Sequence, residues 1–169
     1  MNKELQIRDI ARMKTICTDC HEDFTCHSFN LVCHTLEGGA IFYTNIANAS
    51  KYNDTDGIVK HCTNYLQFIN PTKWTWIIDF EGFGLKHTMG IKTGIQLSKL
   101  VNTFGCLHQF IAINSNIFVE QMLNIIKLVL NKEFHDSMQI LHSKYEFMQK
   151  FIEWMPTDVE SLNSLHLLV

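Results

Sequence analysis

The chain has 169 residues, a length that suits one domain with a sizeable hydrophobic core. Hydrophobic residues make up 46% and charged residues 18% of it, which is the balance of a globular protein rather than a disordered one. The formal net charge is −3 and lysine and arginine form no cluster, so the charge pattern argues against a nucleic-acid partner.

The chain has no apolar run that reaches the roughly 20 residues needed to span a bilayer. Its N-terminal residues have mixed charge and lack the apolar core of a signal peptide. We therefore expect a soluble, cytoplasmic protein whose six cysteines are reduced thiols.

Strand-like and helix-like patterns alternate along the chain. The predicted elements are, in order, a helix over 4–16, strands over 28–34 and 40–46 around a Glu37-Gly38-Gly39 turn, a loop over 48–57, a helix over 58–69, a strand over 74–80, a helix over 89–104, a strand over 109–114, a helix over 117–130, a short strand over 138–141 and a helix over 145–154. This alternation predicts an α/β fold with a mostly parallel β-sheet, flanking helices and right-handed crossovers. We divide the chain into a short N-terminal helical segment, 1–27, and one domain, 28–169.

The segment IIDFEGFGLKH, residues 77–87, carries a family resemblance. It resembles the central strand and turn of the CRAL-TRIO lipid-binding domain family, which includes tocopherol and retinaldehyde carriers and the yeast phosphatidylinositol transfer protein. The family pattern of an apolar pair, Asp, an apolar residue, any residue, Gly and an aromatic or apolar residue fits 77–83 position by position. The segment FIAINSNIF, residues 110–118, is similar to the next strand, Asn and aromatic-led helix start, and the likeness covers roughly 28–158.

The resemblance implies non-covalent binding of a lipid or other hydrophobic small molecule, with transient membrane contact, no catalysis and no cofactor. The helical preamble of the family is shortened here to residues 1–27. In phosphatidylinositol-binding members an acidic–basic pair and a later lysine hold the headgroup, and these positions fall on Gly105, Cys106 and Met138. Since these residues offer no charged donors, the alignment favours a less polar ligand.

The helix over 117–130 is apolar around most of its circumference, with one polar stripe through Glu120, Asn124, Lys127 and, just beyond the helix, Asn131. Its pattern alone fits a helix sandwiched in the core. The resemblance instead implies an apolar gate helix over a lipid pocket, which touches a membrane when it opens.

The sheet and the helices around it supply the predicted ligand-binding residues, each of which could equally be ordinary core. Strand alternation places Trp76, Ile78 and Phe80 on one face, and likewise Ile111 and Ile113. The full predicted set is Trp76, Ile78, Phe80, Phe83, Leu100, Ile111, Ile113, Ile117, Phe118, Met122 and Ile126.

Two polar features lie at the end of the 74–80 strand. We interpret Asp79 as a satisfied structural carboxylate that caps a turn. Lys86 and His87 follow Gly84 where α/β sheets bind ligands, and they either meet a polar end of the ligand or, as we favour, are surface residues.

Cysteine and histidine are concentrated between residues 17 and 34. The residues are Cys17, Cys20, His21, Cys26, His27, Cys33 and His34. Thiolates and imidazoles form tetrahedral zinc sites, but there is no second C-x-x-C pair, and Cys33 and His34 point to opposite faces of a predicted strand. We therefore favour ordinary thiols and predict no metal site. The Cys17–His21 stretch also matches a haem-attachment pattern, which needs an exported chain.

Two other functions stay open beside the lipid carrier. The chain could be a degenerate lipid-binding domain that acts as a protein-interaction module with a protein partner. It could also be a small zinc-binding protein. An open cavity would favour the lipid carrier, and a cavity filled by side chains would favour the interaction module. The metal content of the purified protein separates both from the zinc-binding protein.

Overall fold

The computed structural model describes residues 15–23, 25–35, 38–128, 130 and 132–154. The helices are α1 (Thr18–Glu22), α2 (Thr55–Ile69), a 3₁₀ helix (Leu85–Gly90), α3 (Ile91–Phe104), α4 (Ile117–Lys127), α5 (Lys132–Ser137) and α6 (Lys144–Trp154). The strands are β1 (Asn30–His34), β2 (Ala40–Asn45), β3 (Trp74–Asp79), β4 (Leu107–Ile113) and β5 (Met138–Ile140). Most of the predicted opening helix over 4–16 lies outside the described residues.

The strands form one five-stranded sheet in the order β1-β2-β3-β4-β5. β1 pairs with β2 in the antiparallel sense, as expected for strands around a glycine turn, and Gly38 in this turn has a φ of 78°. The pairs β2–β3, β3–β4 and β4–β5 are parallel. The prediction of an α/β fold with a mostly parallel sheet and flanking helices is therefore confirmed.

All the crossover helices lie on one face of the sheet. Strands that follow one another in chain order, joined by crossovers of the same hand, must place α2, α3, α4 and α5 on the same side. Their apolar faces pack with sheet residues such as Phe42, Trp76 and Phe110. The opposite face is covered by α6, whose Phe147 packs with Ile41, Ile77, Ile111 and Leu141.

Several element boundaries differ from those predicted. α2 begins at Thr55 rather than 58, because the Asp54 side chain caps the helix by accepting from the Gly57 N–H (3.0 Å). It ends before Asn70, which has a left-handed φ of 46°. α5 was not predicted, because its sequence KEFHDS has little apolar periodicity. Among the described helices, none is both long and apolar enough to span a bilayer.

Candidate functional site

An apolar cavity of about 100 Å³ lies between the sheet and the crossover helices. Six of the predicted ligand-binding residues line it, namely Trp76, Ile78, Phe80, Phe83, Met122 and Ile126. Trp76 and Ile78 project from β3, Met122 and Ile126 project from α4, and the two phenylalanines follow the end of β3. The cavity therefore has the sheet as its floor and α4 as part of its cover.

Five other predicted residues lie elsewhere. The placement of Ile111 and Ile113 on the cavity side is wrong, since the β3–β4 register pairs Ile111 with Ile77, and both isoleucines pack on the α6 side of the sheet. Leu100 is buried in the core but borders a surface groove between α2 and α3. Ile117 and Phe118 at the start of α4 are 65% and 39% exposed and do not border the cavity.

Several residues that line the cavity were not predicted from the sequence. These are, among others, Phe29, Tyr52, Leu123, Phe134 and Met138. Phe29 precedes β1 and stacks on Phe42, with ring centroids 4.5 Å apart. The pattern around Phe29 is not regular enough to show which way its ring points.

His87 supplies a polar group to this apolar wall. Its ring stacks on Phe83 with centroids 5.3 Å apart, and the side chain is 2% exposed. The Gly84 N–H donates to Nδ1 (2.9 Å), so the proton of the neutral imidazole is carried by Nε2. Burial lowers the pKa of His87, which favours this neutral form. Nε2 is buried and has no hydrogen-bond partner among the described residues.

Asp79, at the end of β3, is fully buried and accepts three hydrogen bonds. The donors are the Tyr43 hydroxyl (2.7 Å), the Asn114 amide (2.8 Å) and the Glu81 N–H (2.8 Å). The interpretation of Asp79 as a satisfied structural carboxylate is confirmed. Burial and then the bond to Asp79 raise the pKa of the Tyr43 hydroxyl. This network connects β2, the end of β3 and the residue after β4, and none of its residues lines the cavity.

α4 has a buried arc and an exposed arc. Its side toward the core consists of Val119, Met122, Leu123 and Ile126. On the opposite side, Ile117, Phe118, Ile125 and Leu128 fall within an arc of about 100° and are 39% to 84% exposed. Glu120, Asn124 and Lys127 lie beside them as predicted, whereas Val129 and Asn131 are outside the described residues.

Close packing and two hydrogen bonds connect α4 to its neighbours. A Cβ atom at Gly94 of α3 would lie 2.5 Å from Cδ1 of Ile126, so the glycine permits the two helices to approach. At the start of the helix the Asn116 amide donates to the Phe83 carbonyl (2.9 Å). Beyond its end, His135 Nε2–H donates to the Lys127 carbonyl (2.7 Å).

The cysteine- and histidine-rich segment folds beside this site. Among the described residues, Cys17, Cys20 and His27 come together with His61 of α2, and one ligand atom of each lies within 4.8 Å of the others. Cys26, Cys33, His21 and His34 are not part of this group. His61 was missed because it lies far along the chain, although its position on the buried face of α2 is a signal.

Comparisons with known proteins agree with this architecture. The family model described as CRAL/TRIO domain matches residues 36–157. The fold is similar to that in the crystal structure of Sfh5, with a TM-score of 0.62 and 11% sequence identity over 79% of this chain. The chain covers 52% of the chain of that protein, about half its length. No curated protein sequence matches the chain.

Proposed function

The chain belongs to the CRAL/TRIO domain family, and we propose that it carries a small hydrophobic ligand, bound without covalent chemistry in the apolar cavity. Domains of this family in general bind and transfer lipids or other small hydrophobic molecules, and their proteins are generally carriers rather than enzymes. The observation that carries the proposal is the cavity itself, whose walls include Trp76, Ile78, Phe83 and Met122. We further propose that this protein is not an enzyme and acts in the cytoplasm.

The size of the cavity constrains how a ligand enters. A cavity of about 150 Å³ lined by aliphatic and aromatic side chains takes one benzene molecule. The volume of about 100 Å³ here is smaller, so a lipid chain requires a wall to move outward. We propose that α4 is this moving wall, because it contributes Met122 and Ile126 to the cavity while its opposite side faces solvent.

The exposed arc of α4 supports a role for a membrane in this opening. Ile117, Phe118, Ile125 and Leu128 together present apolar side chains that are solvated in the closed form. Transfer of each into a bilayer surface contributes about 1–2 kcal/mol. A membrane would therefore offset the cost of exposing the cavity side when α4 moves, so that ligand exchange occurs at the membrane.

His87 indicates the chemistry of the ligand's polar end. A buried Nε2–H without a partner among the described residues is unfavourable unless an acceptor approaches it. Because burial of a charge in an apolar cavity is costly, the fitting partner of this donor is an uncharged oxygen such as a hydroxyl, carbonyl or ester group. We therefore propose a ligand with a long apolar part and one uncharged oxygen, rather than a phosphorylated headgroup.

One observation favours the protein-interaction module as a second candidate. Aromatic rings fill much of the space between the sheet and the helices, and Trp76 is in edge contact with both Phe29 and Phe110. If α4 does not move, this packing leaves no room for a lipid. The exposed arc of α4 would then bind a protein rather than a membrane.

Native mass spectrometry of the purified chain, with organic extraction of the bound molecules, tests the carrier. We expect a stoichiometric ligand that Met122→Trp reduces at least tenfold, because the larger side chain occupies the cavity. Gln121→Trp is the matched control, because it places the same residue on the exposed side of α4 and should leave the ligand content unchanged.

Two outcomes would contradict the carrier. One is an empty chain that takes up nothing from mixed phosphatidylcholine and sterol vesicles. The other is equal ligand content in the two tryptophan variants, both confirmed as folded by circular dichroism. Either result would favour the interaction module.

A further inference from the structure

The group formed by Cys17, Cys20, His27 and His61 has the dimensions of a tetrahedral metal site. Both cysteine Sγ atoms lie 3.4 Å from Nδ1 of His27. Zinc–sulfur and zinc–nitrogen bonds of about 2.3 Å and 2.0–2.1 Å place a thiolate and an imidazole nitrogen about 3.6 Å apart on a tetrahedron. All four ligand atoms lie within 4.8 Å of one another, so small side-chain shifts bring them to these distances.

Among the described residues, neither histidine uses its Nδ1 atom for a hydrogen bond outside the group. Nε2–H of His61 donates to the Phe29 carbonyl (2.9 Å), and Nδ1 is buried without a partner among the described residues. On His27, Nδ1 faces the thiols and Nε2 lies 3.7 Å from the Asp54 carboxylate. A carbonyl or carboxylate on the second ring nitrogen is the usual support of a metal-bound histidine.

Burial makes this arrangement hard to explain as ordinary packing. Cys20, His27 and His61 are 2%, 3% and 1% exposed, and Nδ1 of His61 has no partner within the described part of the chain. Buried polar atoms normally find partners.

We propose that Cys17, Cys20, His27 and His61 bind one structural zinc ion. Two thiolates and two imidazoles in a tetrahedral arrangement suit zinc. Four protein ligands leave no open coordination position, which is the mark of a structural rather than a catalytic site. This proposal replaces the prediction of ordinary thiols, because the fold brings His61 of α2 to the cysteines as a fourth ligand.

The site would fasten the N-terminal segment to the domain. Cys17 and Cys20 flank the start of α1, whereas His61 is on α2 and His27 precedes β1. His27 also lines the apolar cavity, as does Cys62, the neighbour of His61. The metal would therefore fix the cavity wall formed by α2 and by the residues before β1.

A second group of residues competes for His27. Asp19, His27 and Asp54 also lie within ligand distance of one another. Asp19 already forms an ion pair with Lys51 at 2.7 Å, and both side chains are substantially exposed. The buried group of two thiols and two imidazoles is therefore the better zinc site. Asp54 would support it through Nε2 of His27, the ring nitrogen that does not face the thiols.

Elemental analysis of the full chain, purified without chelators, tests the proposal. We expect one zinc per chain, and much less in Cys17→Ser and Cys20→Ser. Cys26→Ala is the matched control, because Cys26 is a buried thiol of the same segment that is outside the group, and this variant should retain its zinc. Asp54→Asn preserves a helix-capping side chain and should weaken zinc binding about tenfold in competition with a chelating dye.

Cobalt substitution of the wild-type chain keeps the proposal testable if a cysteine variant does not fold. We expect the visible absorption of tetrahedral cobalt with a thiolate-to-cobalt band. Wild-type protein that binds neither zinc nor cobalt would overturn the proposal, as would a Cys17–Cys20 disulfide or full zinc content in both serine variants. These readouts do not depend on the ligand cavity, because zinc content is measured whether or not a hydrophobic ligand is present.

Discussion

At the scale of single residues, the polar network around Asp79 connects three neighbouring strands near their carboxyl ends. Tyr43 on β2 and Asn114 after β4 both donate to this carboxylate at the end of β3. Asn114 adopts a left-handed φ of 55°, which directs the chain toward α4. The three parallel strands are therefore joined by side chains as well as by backbone hydrogen bonds near their carboxyl ends, where α4 begins.

Tyr43 should make the stability of the protein depend on alkaline pH. Its pKa in the folded state is raised above the ordinary value of 10.0, so the stabilisation is present below pH 10 and is lost as the pH rises further. We expect the free energy of unfolding to fall by up to about 1.4 kcal/mol per pH unit from this group. Tyr43→Phe should remove that part of the slope in urea titrations between pH 9 and about 11. An unchanged slope would show that Tyr43 is not held protonated.

His87 should determine which ligands are accepted. His87→Phe retains an aromatic ring against Phe83 but removes the Nε2–H donor, so affinity for a long-chain alcohol should fall about three- to tenfold while affinity for the matching alkane is maintained. Tyr52→Phe is the control, since it removes a hydroxyl from another ring of the cavity wall. Equal losses for the alcohol and the alkane would mean that His87 contributes only packing.

At the scale of elements, α4 shows what an apolar helix pattern can and cannot reveal. The pattern predicted that apolar residues would cover most of its circumference. The structure divides them into a buried arc, which includes Met122 and Ile126, and an exposed arc, which includes Ile125 and Leu128. Periodicity alone did not make this division, because the exposed arc contains four large apolar residues and one polar residue, Gln121.

The two arcs should respond differently to charge. Ile125→Asp places a carboxylate in the exposed apolar arc, so binding to neutral phosphatidylcholine vesicles should weaken about tenfold. Asn124→Asp adds the same charge at the neighbouring position in the polar stripe and should change vesicle binding little. Sedimentation with the vesicles measures both, and equal effects of the two substitutions would exclude the apolar arc as a membrane contact.

Strand patterns were informative within one strand but not between strands. Alternation correctly placed Trp76 and Ile78 on one face of β3. It could not show that Ile111 is paired with Ile77, because the second half of β4 is apolar on both faces and its pattern therefore does not specify the register. The same limit applies to His61, which joins Cys17 and Cys20 only through the placement of α2.

At the scale of the whole molecule, the family resemblance predicted the architecture well. It rests on the order of elements, from the strand with Asp79 through the segment 110–118, and the family match over 36–157 confirms it. The dimensions of the cavity could not be predicted, because they depend on how rings such as Phe29 and Phe134 pack in three dimensions. The division into 1–27 and 28–169 remains a prediction.

Removal of the ligand should lower the stability of the whole domain. A ligand at about 100 times its dissociation constant adds about 2.7 kcal/mol to the free energy of unfolding. For a chain of this length, this corresponds to a rise in Tm of about 5–10 °C. Delipidated protein should therefore melt lower than freshly purified protein, and the extracted lipid should restore the original Tm. Identical melting curves before and after delipidation would contradict a tightly bound ligand.

Because α2, α3, α4 and α5 lie on the same side of the sheet, the molecule has a front, where these helices cover the cavity, and a back. The back is the sheet face sealed by Phe147 of α6 against Ile41, Ile77 and Ile111, and it borders no part of the cavity. Under the proposed carrier function, swelling of the interior around a ligand would be accommodated at the front, by displacement of α4. A partner docked on the back would recognise full and empty carriers alike, so any device that senses the cargo must contact the front.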